Sequence, residues 1–192
     1  MNVITGYPRG ANSKRYGRGM PHGPDSPDDA HRPDDPDAAV VSSAVTALSD
    51  LGVPHRTVRY QGVRSVAEAA QRLGIAPGHV TKTLVIRRAD DDFVFVLVPG
   101  DRVISWPKLR GVLGVHRLSM PDAGTAREVT GYERGTITPF GSLRAWPVVA
   151  DERIAGHTVS LGSGVHGATI VLNADDAIRA LDAALADVTD PA

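Results

Sequence analysis

The residues best suited to chemistry lie in a loop with glycines and a proline at close, regular spacing. The loop reads Thr130-Gly131-Tyr132-Glu133-Arg134-Gly135-Thr136-Ile137-Thr138-Pro139-Phe140-Gly141. Glycine permits positive φ and close backbone approach, whereas proline fixes φ and lacks an N–H donor. Such a loop can hold bare backbone N–H groups against an anion or a carbonyl oxygen. We therefore predict a binding loop for one of these groups.

Other catalytic signatures are missing from the sequence. The 192 residues include no cysteine, which excludes thiolate nucleophiles, disulfides and Cys-based zinc sites. They contain no G-x-S-x-G elbow, no H-E-x-x-H pair and no G-x-x-x-x-G-K-[ST] loop. A pocket without nucleophile, metal or cofactor must position a substrate and polarise a bond that is already weak. We expect no cofactor and no metal.

A second glycine-rich segment imitates a dinucleotide site. It reads Gly162-Ser163-Gly164-Val165-His166-Gly167 and fits the G-x-G-x-x-G pattern. That site requires a helix directly after the glycines, so that the pyrophosphate meets its N-terminus. Here the β-branched residues 168–172 follow instead. We predict a hairpin turn between two strands.

Helices are predicted where apolar residues recur at helical spacing next to capping residues. Their predicted positions are residues 40–48 with a stop at Gly52, the segment from the capping box at Ser65 to Gly74, residues 107–113, and the segment after Asn173. The last helix would present Ile178, Leu181 and Leu185 on its apolar face.

Strands are predicted from β-rich and alternating runs. They are residues 55–60, 83–87, 93–98, 116–119, 146–150, 157–161 and 168–172, with a hairpin turn at 89–92. Hairpins with helices at irregular intervals predict the α+β class. We expect a single compact domain with a mixed, largely antiparallel sheet and peripheral helices.

The first 38 residues differ in composition from the rest. They are rich in Gly, Pro, Asp and Arg and contain few large apolar side chains, which predicts a disordered tail before a domain at residues 39–192. Five of the 21 Lys and Arg residues and six of the 22 Asp and Glu residues lie in this tail, so residues 39–192 carry 16 of each. A domain without net charge is not built to grip a long phosphate backbone. If it handles RNA, we expect it to touch a small end.

The hydropathy of the sequence bears on its location. No apolar run approaches the roughly 18 residues that cross a bilayer. The N-terminus has no apolar stretch typical of a secretory signal. We expect a cytoplasmic protein without a membrane partner.

Taken in order, these motifs resemble the signature of the YbaK-type aminoacyl-tRNA deacylases. These are trans-editing proteins related to the inserted editing domain of bacterial prolyl-tRNA synthetases, and the resemblance spans residues 60–185. Lys82, in Thr81-Lys82-Thr83-Leu84, resembles the most characteristic lysine of the family. Residues 131–132 and 135–139 resemble its Gly-Tyr and G-x-x-x-P elements. Gly164 and Gly167 resemble its second glycine-rich turn, and Tyr60 falls where members often carry a tyrosine.

The resemblance implies a mechanism and a set of site residues. Lys82 would hold the terminal nucleotide or the substrate carbonyl, and backbone N–H groups of residues 135–139 would polarise an ester carbonyl. The implied catalytic residues are Lys82, Gly135, Thr136 and Pro139. The implied substrate-binding residues are Tyr60, Thr81, Gly131, Tyr132, Ile137, Thr138, Ser163, Gly164, His166 and Gly167. The implied partners are the 3′ end of a mischarged tRNA and prolyl-tRNA synthetase.

The second turn departs from the family pattern. Cysteine-removing relatives tend to have Gly-Gly-Lys-Arg-Gly-x-Asp where this chain has Ser163-Gly164-Val165-His166-Gly167-Ala168-Thr169. The resemblance therefore implies tRNA(Pro) carrying Cys, Ala or another small amino acid, without singling out Cys. His166 either orders a water or a ribose hydroxyl, or is an exposed turn residue.

Two alternative functions belong to other classes. One is a non-catalytic module of the same fold that binds a tRNA end or a nucleotide. The other is a metal-dependent hydrolase using His157 and His166, which lie on neighbouring predicted strands and could meet in space.

Overall fold

A computed structural model describes residues 40–60, 62–63 and 65–192. The predicted tail, residues 1–38, lies outside this part, so the tail and the domain boundary remain predictions. The described helices and strands are, in chain order, α1 (Ser43–Asp50), β1 (His55–Arg59), α2 (Val66–Leu73), β2 (Lys82–Ala89), β3 (Asp92–Val98), β4 (Arg102–Ile104), α3 (Trp106–Leu113), α4 (Ala123–Thr130), β5 (Val148–Asp151), β6 (Thr158–Gly162), β7 (Ala168–Asn173), α5 (Ala174–Ala180), β8 (Ala184–Ala186) and β9 (Thr189–Pro191). Short 3₁₀ helices occupy Pro77–His79 and Glu152–Ile154.

The described strands form three sheets. One is antiparallel in the order β1-β7-β6, and a two-stranded antiparallel sheet joins β4 to β9. The third has the order β2-β3-β5-β8, in which β2 and β3 are antiparallel and the other two pairs are parallel. A parallel bridge between Val80 and Ser160 links the start of β2 to β6. The predicted α+β class with a mixed, largely antiparallel sheet is confirmed.

Strand β3 separates two hydrophobic cores. Successive side chains of a strand point to opposite faces, so Phe93, Phe95 and Leu97 pack into one core. Val94, Val96 and Val98 pack into the other. Both faces of β3 are buried, so its sequence is a continuous apolar run. Its pairing with β2 positions Lys82, the first residue of β2.

Several predicted helix ends are confirmed by their caps. The Ser65 hydroxyl accepts the N–H of Glu68 at 3.1 Å, and Gly74 ends α2 in the left-handed conformation. Asn173 caps α5 through its side-chain oxygen. In the described part of the chain, no helix combines the length and the apolar character needed to span a membrane.

Two predictions about elements are wrong. Residues 116–119 do not form a strand, because only Ser119 bridges to Arg87 before the chain turns into α4. Leu185 does not belong to the last helix, which ends at Ala180. Asp182 takes a positive φ of 47° that breaks the helix, and Leu185 lies 47% exposed in β8.

Candidate active site

A cavity of about 540 Å³ lies beside the start of β2, between β6 and the N-terminal end of α4. Its volume is in the range of small-molecule sites. The residues that line it are Tyr60, Ala69, Leu73, Val80, Thr81, Lys82, Thr83, Leu84, Val85, Met120, Pro121, Asp122, Ala123, Ala126, Arg134, Gly135, Ile137, Ser160, Leu161, Gly162, Ala168 and Thr169.

Five of the residues implied by the sequence meet at this cavity. They are Tyr60, Thr81, Lys82, Gly135 and Ile137. They come from three segments far apart in sequence. The fold therefore brings the lysine segment and the glycine–proline loop to the lining of one cavity.

Lys82 is held by two backbone carbonyls, one just before β4 and one at its first residue. Its Nζ donates to the carbonyl oxygens of Gly100 at 3.1 Å and Arg102 at 2.6 Å. Burial lowers the pKa of the Lys82 ammonium, and the nearby carboxylate of Asp101 partly opposes this change. An ammonium group has three N–H donors, so one remains for a ligand.

The wall formed by β2 also carries two uncommitted hydroxyl groups. The Oγ1 atoms of Thr81 and Thr83 are buried and have no hydrogen-bond partner among the described residues. A buried hydroxyl without a partner costs roughly 1–3 kcal/mol. Both residues line the cavity, so a bound polar group can supply the missing hydrogen bonds.

Tyr60 is positioned by the second glycine turn. Its backbone N–H donates to the Gly167 carbonyl at 2.8 Å, which extends the pairing of β1 with β7. Burial raises the pKa of the Tyr60 phenol. The turn residue Gly167 therefore acts on the cavity indirectly, through the placement of Tyr60.

The glycine–proline loop presents free backbone donors to the cavity. The Thr136 N–H and Oγ1 both donate to the Glu133 carbonyl, at 3.0 and 2.9 Å, which closes a turn with Gly135 at a φ of 94°. The N–H groups of Gly135 and Ile137 have no acceptor within the described part of the chain. Both residues line the cavity, so their amides suit an oxyanion or a polarised carbonyl.

The loop rests directly on the β6–β7 hairpin. The Thr136 carbonyl accepts the N–H of Gly164 at 2.9 Å. A Cβ on Gly162 would lie 2.3 Å from the Ile137 carbonyl oxygen and 2.5 Å from that of Thr136. The sequence predicted Gly162 only as part of a turn. In the structure, the absence of a side chain at Gly162 allows the loop to approach β6 closely. As predicted, residues 162–167 connect two strands and precede β7.

Tyr132 lies outside the cavity and ties the loop to α1. It is 5% exposed, its hydroxyl donates to the Phe140 carbonyl at 2.7 Å, and it also bonds to the Ser43 hydroxyl at 2.8 Å. Burial raises the pKa of the Tyr132 phenol. Its ring packs against Gly164, where a Cβ would approach it to 2.6 Å. These contacts position the loop, although Tyr132 itself does not line the cavity.

The remaining implied residues also lie outside the cavity lining. Ser163 is fully buried and donates to the Ala168 carbonyl at 3.0 Å, which braces the hairpin turn. His166 is exposed, and its Nε2 lies 2.9 Å from a carboxylate oxygen of Glu133. The full set outside the lining is Gly131, Tyr132, Thr136, Thr138, Pro139, Ser163, Gly164, His166 and Gly167.

The alternative in which His157 and His166 meet in space is wrong. In the β6–β7 register, Thr158 pairs with Asn173 and Gly162 pairs with Thr169. His157 therefore lies at the open end of the hairpin, whereas His166 lies in its turn, which begins roughly 17 Å away at about 3.4 Å per residue. His157 instead stacks on His79, with ring centroids 4.1 Å apart. The described residues include no group of three His, Cys, Asp or Glu side chains arranged for a metal.

Sequence reasoning missed helix α4 and most of the cavity lining, including Asp122, Thr83 and Arg134. The helix could have been found from its caps, because Asp122 accepts the Thr125 N–H at 2.8 Å and Gly131 ends it at a φ of 81°. Hydrogen bonds from the Thr125 backbone and hydroxyl lower the pKa of the Asp122 carboxyl. Arg134 adds a positive charge to the cavity wall, and Thr83 adds its hydroxyl. Thr83 lies in the lysine segment and Arg134 in the glycine–proline loop, but their residue types alone predict no role.

The chain is similar to known editing proteins and to synthetases. The profile of a family described as the aminoacyl-tRNA editing domain matches residues 61–180. The proline–tRNA ligase of Heliobacterium modesticaldum is 32% identical over 120 residues, which are 62% of this chain and 20% of that enzyme. The proline–tRNA ligase of Moorella thermoacetica is 32% identical over 130 residues, which are 68% of this chain and 22% of that enzyme. The chain thus spans about a fifth of the length of these relatives.

Solved structures share the fold. A proposed trans-editing enzyme for prolyl tRNA synthetase has a TM-score of 0.72 and 25% identity, over 79% of this chain and 99% of that chain. A hypothetical protein has a TM-score of 0.71 and 24% identity, over 78% of this chain and 100% of that chain. The second likeness concerns the fold alone.

Proposed function

The chain belongs to the aminoacyl-tRNA editing domain family, and from this premise we propose that it is a trans-editing hydrolase for mischarged aminoacyl-tRNA. It cleaves the ester between the amino acid and the tRNA. The proposed substrate is tRNA(Pro) carrying Cys, Ala or another small amino acid. The proposed setting is cytoplasmic, with prolyl-tRNA synthetase as a partner.

One observation carries this proposal. The lining of a single cavity includes Lys82 together with Gly135 and Ile137, whose N–H groups have no acceptor in the described part of the chain. Donors fixed by the backbone need no reorganisation when charge develops on a carbonyl oxygen. The cavity supplies no cysteine, and its lining includes no serine elbow, so its residues support catalysis by positioning and polarisation.

The proposed reaction proceeds by attack on the ester carbonyl carbon. The Gly135 and Ile137 amides stabilise the developing oxyanion, while the free N–H of Lys82 holds the terminal nucleotide or the carbonyl. Water or the side chain of the amino acid supplies the nucleophilic oxygen or sulfur, because attack by the adjacent 2′-hydroxyl would only move the acyl group to the neighbouring ribose oxygen. With water, a new C–O bond forms, the bond to the ribose oxygen breaks, and the proton ends on the ribose. Removing one such donor typically costs about 10²–10³ in rate.

The threonine hydroxyls are proposed to fix the polar part of the substrate. Thr81 and Thr83 present buried oxygens without partners to the same cavity. Their hydrogen bonds would orient a ribose hydroxyl or the amino group of the ester. Size alone discriminates weakly, because each methylene is worth about 1–3 kcal/mol.

The test is deacylation of tRNA(Pro) charged with Cys, Ala or Ser, compared among wild type, Lys82→Ala and Lys82→Arg. We expect clearance of at least one ester, a loss of about 100-fold or more in Lys82→Ala, and partial retention in Lys82→Arg. Arg179→Ala, which removes an exposed cation on α5, serves as the control and keeps the wild-type rate. No cleavage above the spontaneous rate, with prolyl-tRNA synthetase present or absent, would contradict the proposal.

The second candidate is a non-catalytic module that binds a tRNA end. One feature favours it, since no histidine is among the described residues that line the cavity. Such a module would show Lys82-dependent binding of the tRNA 3′ end without turnover. The deacylation panel, paired with a binding measurement on uncharged tRNA, separates the two functions.

A further inference from the structure

A second cavity, which we term the basic groove, lies at the far end of β2. It has a volume of about 460 Å³. Its lining consists of Arg87, Arg88, Ala89, Asp90, Arg110, His116, Arg117, Leu118 and Ser119. Four arginines and a histidine thus face one carboxylate, in a domain whose acidic and basic residues balance. The positive charge is concentrated locally, which a count over the whole sequence cannot reveal.

Three of these arginines are available to a ligand. Arg88 pairs with Asp92 at 2.6 Å. Arg87, Arg110 and Arg117 form no ion pair with any carboxylate that the structure describes. Each guanidinium offers a planar fork of donors that matches phosphate oxygens.

Arg87 is also held in place. Its guanidinium lies over the ring of Phe93, 5.4 Å from the ring centroid. Its buried Nε has no hydrogen-bond acceptor in the described part of the chain. A cation fixed by an aromatic ring loses less side-chain entropy when it meets a phosphate.

The basic groove and the candidate active site are lined by consecutive residues of one segment. Leu118 and Ser119 line the groove, and Met120 and Pro121, which follow directly, line the active-site cavity. Lys82 and Arg87 lie on the same strand, and their Cα atoms are about 17 Å apart at a rise of roughly 3.4 Å per residue. At a rise of about 3.4 Å per stacked nucleotide, this distance corresponds to about five nucleotides.

We propose that the basic groove binds the phosphate backbone of the tRNA acceptor arm just upstream of the 3′ end. This inference rests on the proposed function, because it assumes that the terminal aminoacyl nucleotide enters the active-site cavity. Arg110 and Arg117 contact phosphates without reading bases, which gives affinity and orientation. The groove thereby provides the RNA contact that the neutral domain otherwise lacks.

The test measures binding of labelled, uncharged tRNA(Pro) as a function of salt. Arg110→Ala/Arg117→Ala should raise the Kd about tenfold near 0.1 M salt. It should also reduce the slope of log Kd against log salt by about 1.5, since each phosphate contact contributes roughly 0.7–0.9. Arg179→Ala should retain the wild-type Kd and slope, whereas Arg110→Lys/Arg117→Lys should recover most of the affinity. A thermal unfolding midpoint measured for every variant identifies any loss of fold.

The outcomes separate this inference from the proposed function. If the double alanine variant binds tRNA as wild type does, the groove is not an RNA site, and an acidic protein segment becomes its occupant. If wild type binds tRNA through the groove but cleaves no ester, the hydrolase proposal is contradicted, and the basic groove is supported as an RNA-binding site. Deacylation with a normal KM in the double variant would overturn the groove alone.

Discussion

At the scale of single residues, Gly162 is a position of the candidate active site that has no space for a side chain. Its ideal Cβ position falls within 2.5 Å of two carbonyl oxygens of the loop, and both belong to backbone that cannot rotate away. A side chain there must push the loop off β6. The amides of Gly135 and Ile137 would move with it.

We predict that Gly162→Ala lowers stability by about 1–3 kcal/mol through overpacking and reduces deacylation more than its unfolding explains. The measurements are chemical denaturation and the deacylation rate below the unfolding range. Gly111→Ala is the matched control, because Gly111 lies in α3 with open space around its Cβ position. That change should add about 0.5–1 kcal/mol of stability. Equal behaviour of the two variants would refute the role assigned to Gly162.

The sequence predicted individual cavity residues correctly when they belong to a recognisable motif. Lys82 and Gly135 belong to recognisable segments, and both line the cavity. Thr83 and Arg134 lie inside these two motifs as well, but only the structure shows that they line the cavity. Gly162 was visible as a glycine, but its close contact with residues 136–137 depends on the packing of distant segments.

At the scale of elements, an ionic network secures β9 and the segment before it. Arg153 donates to Asp151 and Asp187, and Lys108 pairs with Asp187 and Asp190. The fully buried Asp151 also accepts the Thr189 hydroxyl at 2.7 Å. This network joins α3 and the end of β5 to the short strand β9.

Hydrogen bonds from Arg153 and Lys108 lower the pKa of the Asp187 carboxyl to about 2. A depressed carboxyl pKa stabilises the fold above its ordinary value of 3.8, and this contribution is lost as the pH falls towards about 2. We predict that Asp187→Asn lowers the thermal unfolding midpoint at pH 7 and that its difference from wild type shrinks as the pH falls from 4 to about 2.

The check is a series of thermal unfolding curves between neutral pH and pH 2. Asp50→Asn removes a carboxylate outside the network and should leave the pH dependence of wild type unchanged. A difference between Asp187→Asn and wild type that stays constant over this range would contradict the assigned pKa.

Element prediction worked for long, patterned segments and failed for short ones. The strands at 93–98 and 168–172 have continuous apolar runs, which are typical of strands buried on both faces. Both strands are buried along most of their length. Strands β4, β8 and β9 have three residues each, too few for an alternation to be recognised. Their pairing is set by long-range partners, which one sequence does not reveal.

At the scale of the whole molecule, the start of the folded domain at residue 39 remains a proposal. Val40 is 4% exposed, and the Ser42 hydroxyl accepts the Val45 N–H at 3.2 Å to cap α1. The packing of the domain therefore uses residues from position 40 onward.

We predict that a chain of residues 39–192 keeps the thermal unfolding midpoint and the deacylation rate of the 192-residue chain. A chain starting at residue 43 should lose about 1–3 kcal/mol, because it lacks Val40 and the cap of α1. Calorimetry and the deacylation assay provide the comparison. Lower activity of the 39–192 chain would assign a role to the first 38 residues.

The support of Lys82 has a consequence for the order of biosynthesis. The carbonyls that hold its ammonium belong to Gly100 and Arg102, and Arg102 begins β4, which pairs with β9. The Arg102 guanidinium also donates to the Thr189 hydroxyl at 2.6 Å. Strand β9 is the last described element to leave the ribosome. We therefore expect a nascent chain that lacks residues 189–191 to have a less firmly held Lys82, so that the candidate site is completed only when these residues pair with β4.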